Sequence, residues 1–136
     1  MISDLIVFQK TYDFLLWVKP TVQRFAKVHK YSLGAELERE AVQLLRQIIR
    51  ANMHKTEKRE RIAECFVNYE TIKIFVRLGK DYKLLSNKQY EFAAVQLNEI
   101  GRLLGGWYKK AWKMQKQGFF WNFAYAFLKM QRDNVD

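Results

Sequence analysis

The scarcity of helix-breaking residues is the feature that most constrains this chain. Its 136 residues include one proline and six glycines, and apolar residues recur almost throughout at the 3.6-residue spacing of an amphipathic helix. Pro20 removes one backbone donor and predicts a kink or an end within the first helix. The sequence therefore predicts an all-α fold, and its length suits one domain with one compact core.

The first two helices are predicted from apolar spacing and from a capping residue. The first spans Ser3 to about Ala26, with these residues on its inward side: Leu5, Phe8, Tyr12, Leu15, Val22 and Phe25. The second starts at Ser32, because a serine hydroxyl can cap the free amides of a first turn, and three glutamates follow near the positive end of the helix dipole. Its inward residues are Leu37, Ala41, Leu44, Leu45, Ile48 and Ile49.

The last two helices have clearer limits. The third begins after Thr56 and fades around residues 79–81, with these residues inward: Ile62, Cys65, Phe66, Tyr69, Ile72 and Val76. The fourth begins at a capping box formed by Ser86 and Gln89 and runs toward Lys113. Its inward residues are Tyr90, Ala93, Leu97, Ile100, Leu104, Tyr108 and Ala111.

These four helices predict a bundle followed by an aromatic extension. Connections of about five residues between helices of about 20 to 28 residues favour an antiparallel up-down-up-down four-helix bundle over residues 3–115. In the aromatic-rich extension, residues 116–136, the segment 118–128 matches both a strand and a helix face, so its conformation stays open. Six aromatic residues within positions 119–127 are expected to contact the bundle, another subunit or a partner protein.

The charge distribution indicates a polyanionic partner. The formal net charge is +10, and between Glu99 and Asp133 there are seven basic residues and no acidic one, interleaved with aromatic rings. Cations attract phosphate and rings stack on bases, so nucleic acid is the first hypothesis.

The candidate phosphate-binding residues fall in two groups. Lys73, Arg77 and Lys80 form a stripe at i, i+4 and i+7 on the third helix, with Lys83 just beyond it. The second group lies on the fourth helix: Arg102, Lys109, Lys110 and Lys113. A solvated helix face is the alternative for any single stripe of this kind, and the net charge favours binding.

No residue pattern typical of a catalytic or cofactor-binding site can be identified. The single cysteine excludes an internal disulfide, and with two distant histidines it gives no metal-ligand spacing. Paired carboxylates, a phosphate-binding glycine loop and a Ser/His/Asp set are also absent. We therefore expect a non-enzymatic protein without metal or cofactor.

The compartment follows from cysteine usage and from the lack of targeting features. One cysteine fits a reducing cytoplasm, and the first residues lack the pattern of a secretory signal. The longest apolar run, residues 119–128, is about half of the roughly 20 residues that span a bilayer. A cytoplasmic protein that does not cross a membrane is expected.

Two alternatives to nucleic-acid binding stay open. Arg24 and His29 satisfy the R-x4-H spacing that marks the ribonucleases among HEPN domains, which are also small helical bundles, although no second group is identifiable to orient the histidine as a general base. The lysines and aromatic residues of 107–129 also suit an anionic membrane surface, but the polar and apolar faces are not cleanly separated.

Several short motifs resemble one family. They are Phe8-Gln9-Lys10-x-Tyr12-Asp13, Tyr31-Ser32-Leu33-Gly34, Arg77-Leu78, Leu84-Leu85-Ser86-x-x-Gln89-Tyr90 and Glu99-Ile100-Gly101-Arg102-Leu103-Leu104-Gly105-Gly106-Trp107. Over roughly residues 5 to 113 the chain is similar to the Avd family, the accessory variability determinants of diversity-generating retroelements. That family is related to the four-helix proteins encoded in intervening sequences of bacterial 23S ribosomal RNA genes.

The resemblance implies a partner and an assembly. It implies a basic protomer that forms a barrel-shaped homopentamer, binds the retroelement's reverse transcriptase, and binds RNA or DNA with little sequence preference. Such a protein is not catalytic itself but supports the copying of a template RNA into mutagenised cDNA. Arg77 and Arg102 match basic positions of the family, and Lys83 lies close to one. The ribosomal relatives share the fold without a retroelement, so a general RNA-binding role is the alternative.

The glycines of the fourth helix fit this implied assembly. Each mid-helix glycine costs about 1 kcal/mol relative to alanine, so a close packing contact is expected at Gly101, Gly105 and Gly106. With Trp107, these residues are the expected contacts between protomers.

Overall fold

The computed structural model describes the backbone of residues 2–133 and the side chains of residues 5–113. Over this range the chain forms four long helices and a short helical turn. The long helices are α1 (Ile2–Gln23), α3 (Ala35–Met53), α4 (Lys58–Asp81) and α5 (Asn87–Asp133). The short helix α2 (Lys27–His29) continues through a π-helical turn (Lys30–Gly34) into α3. The predicted all-α class is confirmed, since the described backbone contains no strand.

The long helices pack as an antiparallel bundle around one core. Helix α1 packs on α3 and α5, and α4 packs on the same two helices. The connections at residues 54–57 and 82–86 are short, so each reverses the chain direction between neighbours. The largest fully buried side chains come from all four helices and include Phe14, Leu44, Ile72 and Ile100. The four-helix bundle is confirmed.

The inward face predicted for α1 is only partly correct. Val22 and Phe25 are buried and Phe8 and Leu15 are half-buried, but Leu5 is 68% exposed and Tyr12 45% exposed. The buried stripe runs instead through Val7, Thr11, Phe14, Val18, Thr21 and Val22. Because α1 is apolar on almost every side, two stripes share the helical period, and only packing against α3 and α5 selects between them.

The predicted start of the second helix is wrong. Helical structure begins at Lys27, and Ser32 lies inside it, where its hydroxyl donates to the Val28 carbonyl at 2.8 Å instead of capping a first turn. Because the preceding turns already satisfy the amides there, no free N-terminus exists at Ser32. The first helix ends at Gln23, three residues past Pro20 and before the predicted end at Ala26.

The predicted limits of the third helix and the predicted start of the fourth agree with the structure, but the predicted end of the fourth helix near Lys113 is wrong, because α5 continues to Asp133. The Ser86 amide donates to Gln89 Oε1 at 2.9 Å, and the Gln89 amide donates to Ser86 Oγ at 3.1 Å, which confirms the capping box. All residues predicted to lie inward on these helices are buried or half-buried, whereas Ile49 of α3 is 41% exposed. Helix α5 continues through the segment 118–128, whose conformation is therefore helical. The expected contacts of its aromatic side chains lie outside the described residues.

Candidate nucleic-acid interface

The basic stripe on α4 is exposed along its whole length. Lys73, Arg77 and Lys80 all lie on the outer side of the helix, toward α5. Lys83 lies in the following loop, where its backbone is left-handed (φ 62°) and its amide donates to the Lys80 carbonyl at 2.9 Å. The structure therefore places these four predicted residues along one side of α4 and in the loop that follows it, toward one end of the α4–α5 pair.

A shallow groove runs between α4 and α5 beside this stripe. We call it the α4–α5 groove, and its volume is about 310 Å³. The wall from α4 consists of Glu70, Lys73, Ile74, Val76 and Arg77. The wall from α5 consists of Tyr90, Ala94, Leu97 and Asn98. The groove thus combines two cations and one carboxylate with a partly apolar lining.

The second group of predicted residues follows the outer face of α5. Arg102, Lys109 and Lys113 are exposed and lie at i, i+7 and i+11, which places them on one helical face. Lys110 is also exposed, but it is turned by about 100° from Lys109 toward another face. The eight predicted residues therefore form two sets toward opposite ends of the α4–α5 pair, with Arg102 between them and Lys110 turned to another face.

Most of these cations form no ion pair with the residues that the structure describes. Lys73 lies 3.7 Å from a carboxylate oxygen of Glu70, and Arg102 lies 3.8 Å from one of Glu99. Both pairs are long and solvent-exposed, a class that contributes about 0 to 1 kcal/mol. The other six predicted cations make no ion pair with any described residue. Their positive potential is thus free to attract an external anion.

Cations of α4 also lie over aromatic rings of α5. The Lys80 ammonium is 4.5 Å from the centre of the Tyr90 ring, and the Arg59 guanidinium is 4.2 Å from that of Trp112. Sequence reasoning missed Arg59 because it lies 53 positions from its ring. The available signal was the antiparallel register, which places the start of α4 beside residues 107–112 of α5.

Gly101 differs from Gly105 and Gly106 in what surrounds it. A Cβ added at Gly101 would overlap Tyr69 Oη and lie 2.6 Å from its Cζ, so this glycine admits a buried ring of its own protomer. Trp107 is 5% exposed and belongs to the same core. A Cβ added at Gly105 or Gly106 would meet no described atom within 4 Å. Those two glycines leave the α5 backbone open to an outside contact.

The residues of the nuclease alternative do not form a paired site. Arg24 follows the end of α1, and His29 lies beyond a break in the helix, so the R-x4-H spacing does not fall on one continuous helix. The His29 ring packs against Tyr82, with ring centres 5.5 Å apart. Burial raises the pKa of the Cys65 thiol to about 12, so it is protonated at neutral pH. Neither arrangement prepares a nucleophile or a general base.

Two further properties concern metals and membranes. The described part of the chain has no group of three or more His, Cys, Asp or Glu placed to hold a metal ion. None of its helices contains a stretch that is both long enough and apolar enough to cross a bilayer.

The fold and the surface together define a class, a four-helix bundle with exposed cations on two adjacent helices, most of them without an ion-pair partner among residues 5–113. The profile of the bAvd-like family matches residues 5–111, which is most of the chain. The chain therefore belongs to the bAvd-like family, and the resemblance to Avd proteins is confirmed. This membership indicates an accessory-protein role. No curated protein matches the chain, and the relation to the ribosomal intervening-sequence proteins stays a prediction.

Proposed function

We propose that the protein is a non-catalytic accessory protein of a diversity-generating retroelement. It binds the element's reverse transcriptase and its template RNA, and it supports mutagenic cDNA synthesis. Family membership over residues 5–111 supports the biological setting. The observation that carries the binding role is the set of exposed cations on α4 and α5 that have no intramolecular counter-ion among the described residues.

The proposed contacts are to phosphate. Lys73, Arg77, Lys80 and Lys83 hold one stretch of strand along α4 and its following loop. The α5 residues that extend this surface are Arg102, Lys109, Lys110 and Lys113. Phosphate contacts give affinity without sequence preference, as a factor that must follow a template of any sequence requires.

We also propose that the protomer assembles, as a homopentamer, through surfaces that it leaves uncovered. Leu5 and Leu16 of α1 and Met53 of α3 are exposed, although α1 and α3 pack side by side. Exposed apolar side chains on adjacent helices favour a protein contact. Of the four residues predicted to lie between protomers, Gly105 and Gly106 stay in this proposal, because Gly101 and Trp107 pack inside the protomer.

Co-expression with a reverse transcriptase encoded beside the gene tests the function. We expect the two proteins to co-purify, the complex to make more cDNA than the polymerase alone, and the free protein to have the mass of five protomers. Arg77→Glu and Arg102→Glu are expected to lower the cDNA yield. Arg46→Glu is the matched control, because Arg46 is exposed on α3.

Three results would contradict the proposal. Failure of the two proteins to co-purify, together with retention of RNA, would favour the general RNA-binding alternative. RNA cleavage by the clean protein that His29→Ala abolishes would favour the nuclease. Equal cDNA yields from Arg77→Glu and Arg46→Glu would remove the α4 stripe from the mechanism.

A further inference from the structure

We propose that the α4–α5 groove seats one unstacked nucleotide of a single strand. Lys73 and Arg77 hold its phosphate, and its base lies along the apolar lining within reach of Asn98. This inference rests on the proposed nucleic-acid binding and deepens it, because it assigns a defined subsite and a preference for single strands over duplex.

The two walls of the groove match the two parts of a nucleotide. Lys73 and Arg77 supply two cations on the α4 side, beside the Glu70 carboxylate, whereas Ala94 and Leu97 give the α5 side an apolar surface. A duplex presents phosphate to such a surface and keeps its bases stacked inside. A single strand exposes both the phosphate and the apolar face of the base, so only the single strand uses both walls.

The size of the groove agrees with one nucleotide. Its volume of about 310 Å³ lies at the small end of the range for ligand sites, which is about 300 to 1,000 Å³. A duplex is too wide to enter and can only lie across the mouth. The groove therefore adds contact area for a splayed-out base and none for a paired one.

The two cations of the groove, Lys73 and Arg77, differ in their surroundings. Lys73 is drawn toward Glu70 at 3.7 Å and lies 5.4 Å from the centre of the Tyr69 ring. Arg77 has no ion-pair partner among the described residues, so its guanidinium is free to bind a phosphate with two parallel hydrogen bonds. Arg77 is thus the main phosphate ligand, and Lys73 adds a charge beside it.

The exposed amide of Asn98 completes the subsite without selecting a base. A carboxamide offers both a donor and an acceptor, and every base has both on its edge. Asn98 can therefore bond any of the four bases, which agrees with the low sequence preference of the proposed function.

A variant that fills the groove without changing charge tests the subsite. Ala94→Trp places a ring in the groove, and Val42→Trp is the matched control, because Val42 is 42% exposed on α3 and does not line the groove. Affinities would be measured for a 12-nucleotide single strand and for a duplex with the same number of phosphates, at one salt concentration. We expect Ala94→Trp to bind the single strand about tenfold more weakly and the duplex unchanged.

A second measurement does not depend on the folding of Ala94→Trp. Adding a nucleoside monophosphate to the unmodified protein is expected to shift the amide NMR signals of Ala94, Leu97 and Asn98, and Asn98→Ala to weaken single-strand binding alone. Equal single-strand affinity of Ala94→Trp and Val42→Trp, or equal affinity of the unmodified protein for single strand and duplex, would overturn the subsite and leave nucleic-acid binding intact. Retention of neither strand form at low salt would instead refute the proposed function.

Discussion

Gly101 and Gly106 are five positions apart on α5, but their surroundings differ. An added Cβ at Gly101 would overlap the phenol of Tyr69, which is buried between α4 and α5 and has little room to move. At Gly106 the same atom would meet no described neighbour. One glycine therefore serves packing, whereas the other only weakens the helix of the isolated protomer.

This difference gives opposite expectations for two alanine variants. Gly101→Ala should lower the free energy of unfolding by about 1 to 3 kcal/mol, the usual effect of overpacking a core. In protein dilute enough to be dissociated into protomers, Gly106→Ala should raise it by up to about 1 kcal/mol, because alanine is the better helix former. Urea unfolding at matched protein concentration measures both. The packing account of Gly101 fails if Gly101→Ala stabilises the protein.

The buried thiol of Cys65 provides an expectation for pH dependence. Burial raises its pKa from 9.0 to about 12, so above pH 9 the unfolded chain loses this proton while the folded chain keeps it. The unfolded state then binds fewer protons, and the free energy of unfolding falls as the pH rises from about 9 to about 12. Stability curves between pH 8 and 10 should slope down less steeply for Cys65→Ala than for the unmodified protein. Parallel curves would show that the thiol contributes nothing to the slope.

At the residue scale, the sequence predicts which charged side chains are exposed better than it predicts which side chains touch each other. The exposure of Arg77 and Lys80 followed from their type and spacing, since unpaired charges are rarely buried. The pairs Arg59–Trp112 and Tyr69–Gly101 depend on the register between α4 and α5, which local sequence does not encode.

Helix starts distinguish two serines that look alike in sequence. Each is followed by a glutamine or glutamate within four residues, but only Ser86 stands at a true helix start, with reciprocal hydrogen bonds to Gln89. Ser32 lies within the continuous helical segment that begins at Lys27, and its hydroxyl bonds to the carbonyl four residues earlier. The two side chains therefore have different structural roles.

We expect Ser86→Ala to lower the free energy of unfolding by about 1 kcal/mol, the usual effect of removing an N-cap. Ser32→Ala should change it by less than about half as much, because a hydroxyl bonded to the i−4 carbonyl adds little to a helix. Thermal or urea unfolding compares them directly. A larger loss from Ser32→Ala would mean that the second helix starts at Ser32 after all.

At the scale of single helices, the buried face could be predicted only where the apolar and polar sides of the helix differ clearly. The faces of α4 and α5 were predicted because polar residues separate their apolar stripes. The face of α1 was not, since Leu5, Tyr12 and Leu16 repeat with the same period as the buried Val7 and Phe14. Local pattern cannot rank two apolar stripes, and tertiary packing decides between them.

On the scale of the whole molecule, the main question is whether the positive charge points outward. Six of the eight predicted cations have no ion-pair partner in the described structure, and the other two make long, exposed pairs. Fold class and net charge were readable from the sequence because both depend on composition and period. The α4–α5 groove was not, because it exists only where two distant helices meet.

The most direct test is the salt dependence of nucleic-acid affinity. We expect the logarithm of the association constant to fall linearly with the logarithm of salt concentration, because each bound phosphate releases counter-ions. Arg77→Gln should reduce that slope by about 1 for every sequence tried, whereas Arg46→Gln on α3 should leave it unchanged. An affinity that does not change with salt, or that Arg77→Gln and Arg46→Gln alter equally, would contradict a phosphate-binding surface on α4 and α5.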